Sequence, residues 1–180
     1  MHQITSRLAF LMPVQLTSTD KSIEINDCRP IGIFDSGVGG LSIAKCITQQ
    51  LPNENFIYLA DNLHAPYGNK STKFIVERVN TIAQTLVKKN IKALVIACNT
   101  ATVNAIDQLR QRLSIPIIGV EPAIKPAALY SKNKNIAILV TQATANNARF
   151  LNLVQRFSMG ANVIIQPCPG LVELIEQGNI

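Results

Sequence analysis

KALVIACNTAT, residues 92–102, is the stretch whose reading decides the fold. Ala93 to Ala97 form a short apolar run containing β-branched Val95 and Ile96, the pattern of a strand buried on both faces. The run breaks into Cys98-Asn99-Thr100-Ala101-Thr102, so a thiol, an amide and two hydroxyls stand where a strand gives way to a helix. In an open parallel α/β sheet, ligands bind outside the carboxyl ends of the strands. The cluster is therefore a candidate site. A second reading stays open, because cysteine is among the most buried residue types: a structural thiol beside an Asn/Thr helix cap.

The same alternation of strand and helix extends to either side. Before it, Ile31-Gly32-Ile33-Phe34 reads as a strand ending at Asp35-Ser36-Gly37-Val38-Gly39-Gly40, with a helix from about Leu41 to Leu51 stopped by Pro52. Phe56–Ala60 is a second strand, ending at Asp61. A loop from Asn62 to Lys70 contains Pro66-Tyr67-Gly68. Ser71 or Thr72 then caps a helix whose Ile75, Val79, Ile82 and Leu86 recur at spacings of three and four. Lys88-Lys89 suits its last turn and Asn90 its exit.

After the central stretch come a helix over Ala101–Leu113, a strand over Pro116–Val120 and a helix near Ile124–Tyr130. Ile136–Val140 is a fifth strand, ending at Thr141-Gln142-Ala143-Thr144, with a helix running to about Phe157. Val163-Ile164-Ile165 is a sixth, and Cys168-Pro169 leads into a last helical segment. This order predicts an α/β fold of parallel βαβ lobes with right-handed crossovers. IACNTATVNA and LVTQATANNA echo each other, as two pseudo-equivalent lobes would. The expected division is a first lobe over residues 30–120 and a partial second lobe over residues 121–180. Residues 1–29 lack any sustained period and are expected to be a poorly ordered extension.

Composition excludes several classes. With 47% hydrophobic and 16% charged residues, the chain is that of an ordinary globular protein. The net charge of +6 comes from scattered basic residues without interleaved aromatics, so a solvated surface is expected and no nucleic-acid partner. Cys28, Cys46, Cys98 and Cys168 stand far apart, and only His2 and His64 accompany them, which is neither a zinc pattern nor a disulfide scaffold. That usage fits a reducing cytoplasm. Leu8–Met12 is too short to span a bilayer, so no signal peptide, membrane helix or membrane partner is expected.

Three consecutive strands end in polar groups: Asp35-Ser36, Asp61 and Cys98-Asn99-Thr100. DSGVGG fits neither GxGxxG nor GxxxxGK[ST], so a nucleotide loop is not implied. Its glycines still expose backbone N–H groups at a helix start, an arrangement that favours a carboxylate or phosphate. Asp35 beside them calls for an ammonium or for the proton of a neighbouring acid. Amides for a carboxylate and an aspartate for an ammonium together describe an amino-acid site. The alternative is that Asp35 and Ser36 cap the first helix. Cys98 adds an atom able to act as base, provided helix-end amides or other donors lower its pKa.

IGIFDSGVGGLS, LADNLHAPYGNKS and ALVIACNTATVNAI, in this order and spacing, resemble the cofactor-independent glutamate racemases of the aspartate/glutamate racemase superfamily. IPIIGVEPAIKPA, ILVTQATANNARF and CPGLVELIE follow the same family, so the resemblance covers about residues 30–180. It implies two α/β lobes with glutamate between them and no pyridoxal phosphate, metal or nucleotide. One cysteine removes the substrate Cα proton and another, on the opposite face, returns one. Carried over, Cys98 is one of these bases, and Asp35, with Ser36 alongside, assists it and holds the ammonium. Tyr67 and Gly68 contact the substrate, Asn99 and Thr100 bind its carboxylate, and Thr144 adds a contact from the second lobe. The product D-glutamate would serve peptidoglycan synthesis.

The sequence also departs from that pattern. The second cysteine of the family lies in a Gly-Cys-Thr-His motif that these 180 residues do not contain. Cys168 matches the earlier CP segment instead. Ala143 stands where the family usually has Gly, and Asn147 where it usually has Ser. The expectation is a racemase truncated at its C-terminus that racemises poorly or not at all, since one missing acid–base group costs about 10²–10⁴ in rate. A non-catalytic amino-acid-binding or protein-binding remnant and an aspartate racemase relative are the alternatives. An unfinished lobe leaves apolar surface and strand edges open, so self-association, for instance as a homodimer, is expected.

Overall fold

The computed structural model describes residues 27–179, so the expected extension lies outside the described residues except for its last three. Those three are tied down: Lys92 Nζ, buried, donates to the Asp27 carbonyl at 2.6 Å and pairs with Glu54 at 2.5 Å.

The first sheet holds β1 (Ile31–Asp35), β2 (Phe56–Ala60), β3 (Ala93–Ile96) and β4 (Ile117–Gly119), all parallel in the order β2-β1-β3-β4. β1 and β3 are central, and every residue of both is buried, which is why they read as unbroken apolar runs. One face is covered by α2 (Thr72–Val87) and α3 (Asn99–Arg112), whose buried Ile75, Val79, Ile82, Leu86, Ala105, Ile106 and Leu109 share a core with Phe34, Leu94 and Ile96. The other face packs α1 (Gly40–Gln50) through Ile43, Ala44 and Ile47 against Ile31, Ile33 and Val95. α2 begins at Ser71, whose hydroxyl accepts from the Phe74 N–H, and the chain leaves past it through Asn90 at φ 58°.

Close approach sets Gly119 at the end of β4. A Cβ there would lie 2.5 Å from both Ile106 Cδ1 and Thr102 Cγ2 of α3.

A second, two-stranded parallel sheet follows, β5 (Asn135–Val140) beside β6 (Asn162–Pro167), reached through α4 (Ile124–Tyr130). The single helix expected after β5 is two, α5 (Gln142–Ala145) and α6 (Ala148–Phe157), because the Asn147 side chain accepts from the Phe150 N–H and restarts the helix. α7 (Leu171–Glu176) ends the described chain. Ile138, Val140 and Ile165 on one face of this sheet join Phe150, Leu153 and Val154 of α6 in a third core. The other face bears Ala137, Leu139 and Ile164, all exposed. A parallel sheet normally has both faces covered. This one has not.

Among the described residues, no helix is long and apolar enough to cross a membrane.

Candidate active site

β1, β2 and β3 deliver their last polar residues to one end of the first sheet. Cys98 follows β3 and caps α3 itself: its Sγ accepts from the Ala101 N–H at 3.3 Å. Ser36 Oγ lies 3.3 Å from the same sulfur. Cys98 is 7% exposed. Burial pushes the thiol upward and the Asp35 charge adds to it, outweighing the hydrogen bonds from Ser36 and the Ala101 amide. This upward push runs against the lowered pKa that a base at this helix start calls for.

Asp35 and Ser36 divide the roles that the sequence left open. Asp35 Oδ2 accepts from the Gly37 and Gly40 N–H groups at 3.2 and 2.9 Å, so this carboxylate does cap the start of α1. Ser36 turns to the sulfur. Gly40 makes the approach feasible, since a Cβ there would stand 2.6 Å from Asp35 Cβ and 3.0 Å from Ala97 Cβ. Between these amides, the Val38 N–H points to Glu176 of α7, with Oε1 at 3.0 Å and Oε2 at 3.2 Å. The glycine loop thus holds an acid from the far end of the chain. No spacing rule in the sequence links residues so far apart.

Tyr67 is 1% exposed, packed near Phe34, and its hydroxyl donates to Asp61 Oδ2 at 2.7 Å. The side chain expected to meet a ligand is thus closed off. Asp61 also accepts from Arg78 Nε and Nη2, each at 2.7 Å, and pairs with His64 Nδ1 at 3.0 Å. Burial alone would raise the Asp61 carboxyl, but the bonds from Arg78, Tyr67 and His64 outweigh it and hold it at about 2. Burial and the charges of Asp35, Glu176 and Cys98 push Tyr58 up to about 12. Arg78, like Glu176, escaped the sequence reading, because a cation on a helix face reads as solvated surface.

Asn99 and Thr100 open α3 and line a cavity of about 340 Å³ together with Thr141, Thr144, Cys168 and Leu171. Three hydroxyls form a ring: Thr100 Oγ1 lies 3.0 Å from Thr141 Oγ1, which donates to Thr144 Oγ1 at 3.0 Å, which donates back to Thr100 at 3.3 Å. The ring joins the end of β3 to the end of β5. Gly68 packs its Cα against Thr141 and borders a second hollow of about 260 Å³ with Gln142 and Asn146. Cys98, Asp35, Ser36 and Tyr67 line neither space. The lining is mostly apolar, with the Asn99 amide and the hydroxyl ring as its main polar groups, and within the ring each hydroxyl gives its one proton to the next. Among the described residues, no group of three or more His, Cys, Asp or Glu side chains is placed to hold a metal ion.

α6 is fixed over α3 by Arg149, which pairs with Asp107 and with Glu121 at 2.6 Å each, and by Asn147 Nδ2 donating to Asn104 Oδ1.

The sequence profile of the Asp/Glu/Hydantoin racemase family matches residues 31–179. A glutamate racemase from Stutzerimonas stutzeri is 51% identical over 156 residues, which cover 86% of this chain and 59% of that protein. The crystal structure of Escherichia coli glutamate racemase in complex with L-glutamate and the activator UDP-MurNAc-Ala is similar with a TM-score of 0.75 and 39% identity, covering 81% of this chain and 56% of that one. Francisella tularensis glutamate racemase in complex with D-glutamate gives a TM-score of 0.73 and 36% identity, covering 84% and 57%. The chain thus spans a little under three fifths of the length of these relatives.

Proposed function

Since the chain belongs to the Asp/Glu/hydantoin racemase family, we propose that it binds glutamate at the ends of β1, β3 and β5 and that Cys98 exchanges the Cα proton. The observation that carries this reading is the placement of Cys98 Sγ, 3.3 Å from Ser36 Oγ at the end of the strand whose next two residues line the larger cavity. Asn99 supplies amide donors for a carboxylate, and Thr100, Thr141 and Thr144 supply theirs by turning their hydroxyls out of the ring toward it. Asp35 supplies the negative charge that an ammonium would meet. The two sheets serve as two lobes, residues 30–120 and 121–180, with the ligand at their seam.

In this scheme the arriving ammonium offsets the Asp35 charge felt by the sulfur and lets the thiol ionise. The thiolate takes the Cα proton, the electron pair stays on the substrate carbon, and the same sulfur returns a proton to the same face. Inversion requires a second group opposite, and the 180 residues contain no Gly-Cys-Thr-His motif. The expected activity is therefore exchange without full interconversion. As a cytoplasmic glutamate racemase, the longer form of this architecture would supply D-glutamate to peptidoglycan and cell-wall synthesis.

Proton NMR of L- and D-glutamate in D₂O tests the reading. Loss of the Cα signal with configuration retained, absent in Cys98→Ser, supports it; exchange that persists in Cys98→Ser, or full interconversion, refutes it. The upward-shifted thiol favours a second reading, binding without proton transfer, which calorimetry with both enantiomers would reveal as heat without exchange.

A further inference from the structure

We infer that Tyr58 is a positioning residue for Cys98: its hydroxyl fixes the turn that keeps Ser36 against the sulfur. Tyr58 stands on β2 beside Ile33 of β1, and its ring packs with Ile31, Ile33, Val95 and Ala97 on the α1 side of the sheet. From there its Oη reaches past the end of β1 and donates to the Gly37 carbonyl at 3.2 Å. Gly40 leaves room for it, since a Cβ at that residue would stand 2.9 Å from Oη.

Two successive peptide groups follow Ser36, and both are held. The first donates its Gly37 N–H to Asp35 Oδ2 at 3.2 Å. The second accepts the Tyr58 proton at its Gly37 carbonyl and donates its Val38 N–H to Glu176. Glycine by itself imposes little preference on its backbone, so the orientation of this turn comes from those partners. Ser36 enters it directly, with Oγ 3.3 Å from Cys98 Sγ. That contact favours the ionised sulfur, against burial and the Asp35 charge. Burial, and then the charges of Asp35, Glu176 and Cys98, push the Tyr58 phenol up to about 12, so it stays a neutral donor at neutral pH.

The bearing of Tyr58 on catalysis rests on the proton exchange proposed above for Cys98; its effect on the sulfur does not, so the test reads the sulfur. Tyr58→Phe removes the hydroxyl and keeps the ring. Iodoacetamide labelling of the whole chain at about pH 9, resolved by mass spectrometry with Cys46 as internal standard, compares wild type, Tyr58→Phe, Ser36→Ala and the double variant. Each single variant should slow Cys98 by about threefold or more, the contribution of one hydrogen bond to an ionised acceptor. The double variant should be no slower than Ser36→Ala alone, because the two residues act as one unit. A merely structural role predicts the opposite sign, since destabilisation opens a buried thiol and speeds its labelling. Urea unfolding establishes that each variant is folded; Tyr58→Met repeats the test should Tyr58→Phe fail to fold. Unchanged or faster labelling in Tyr58→Phe overturns the proposal, as does a double variant slowed by the product of the two single effects. Should labelling follow the expected pattern while wild type exchanges no glutamate Cα proton in D₂O, the Tyr58 assignment stands and the glutamate reading falls.

Discussion

Replacing Asp61 by asparagine tests the electrostatics of the Tyr67 turn. The wild-type carboxyl is held at about 2 against 3.8 for an unconstrained aspartate, although it is buried, because Arg78, Tyr67 and His64 all address it. At about 1.4 kcal/mol per tenfold change in the ionisation constant, its charge contributes at most about 2.5 kcal/mol to folding at neutral pH. Water reaching the Arg78 side chain, 30% exposed, screens part of that. The folded value lies below the unfolded one, so this stability is fully present above about pH 4 to 5 and is lost as pH falls through about 2. The amide of the Asp61→Asn variant has no such ionisation. Urea unfolding of both proteins at closely spaced pH values from 7 down to about 2 gives the difference directly. Wild type should lead the variant at neutral pH, and the gap should close by about 1–2 kcal/mol on acidification. A gap that stays constant over that range would refute the assignment of the low carboxyl to this network.

The remaining expectations concern packing and reactivity. Gly119→Ala puts a methyl group 2.5 Å from both Ile106 Cδ1 and Thr102 Cγ2, so it should cost about 1–3 kcal/mol in urea unfolding; an unchanged midpoint would contradict the close approach of β4 and α3. Cys46 is exposed and Cys98 buried with its thiol pushed up, so timed iodoacetamide labelling read by mass spectrometry should modify Cys46 first. Labelling of Cys98 should accelerate as pH rises well above neutrality, and equal rates for the two cysteines at pH 7 would count against a buried thiol pushed upward.

Much of the fold was legible because parallel strands and their helices leave periodic traces. Ile75, Val79, Ile82 and Leu86 marked the buried face of α2, and the apolar run before Cys98 marked a central strand. The break between α5 and α6 was missed because Asn147 within a continuing apolar period looks like one more polar position until its side chain is seen to accept from Phe150. At the site, the polar strand ends were visible as a set. Which of Asp35 and Ser36 would cap and which would face the sulfur depends on the angle at which α1 leaves β1, and that angle is set by Gly40 packing against Ala97. Pairings such as Val38 with Glu176, or Asp61 with Arg78, arise from tertiary placement and have no local pattern to betray them.

The sulfur of Cys98 fastens the first turn of α3 by accepting from Ala101. Gaining or losing a proton alters how strongly that acceptor pulls, because an ionised acceptor makes a shorter and stronger bond than a neutral one. Each protonation event at residue 98 is therefore also a mechanical event at the helix that presents Asn99 and Thr100. Alanine at this position would remove a reactant and an anchor together, whereas serine retains the anchor and isolates the chemistry.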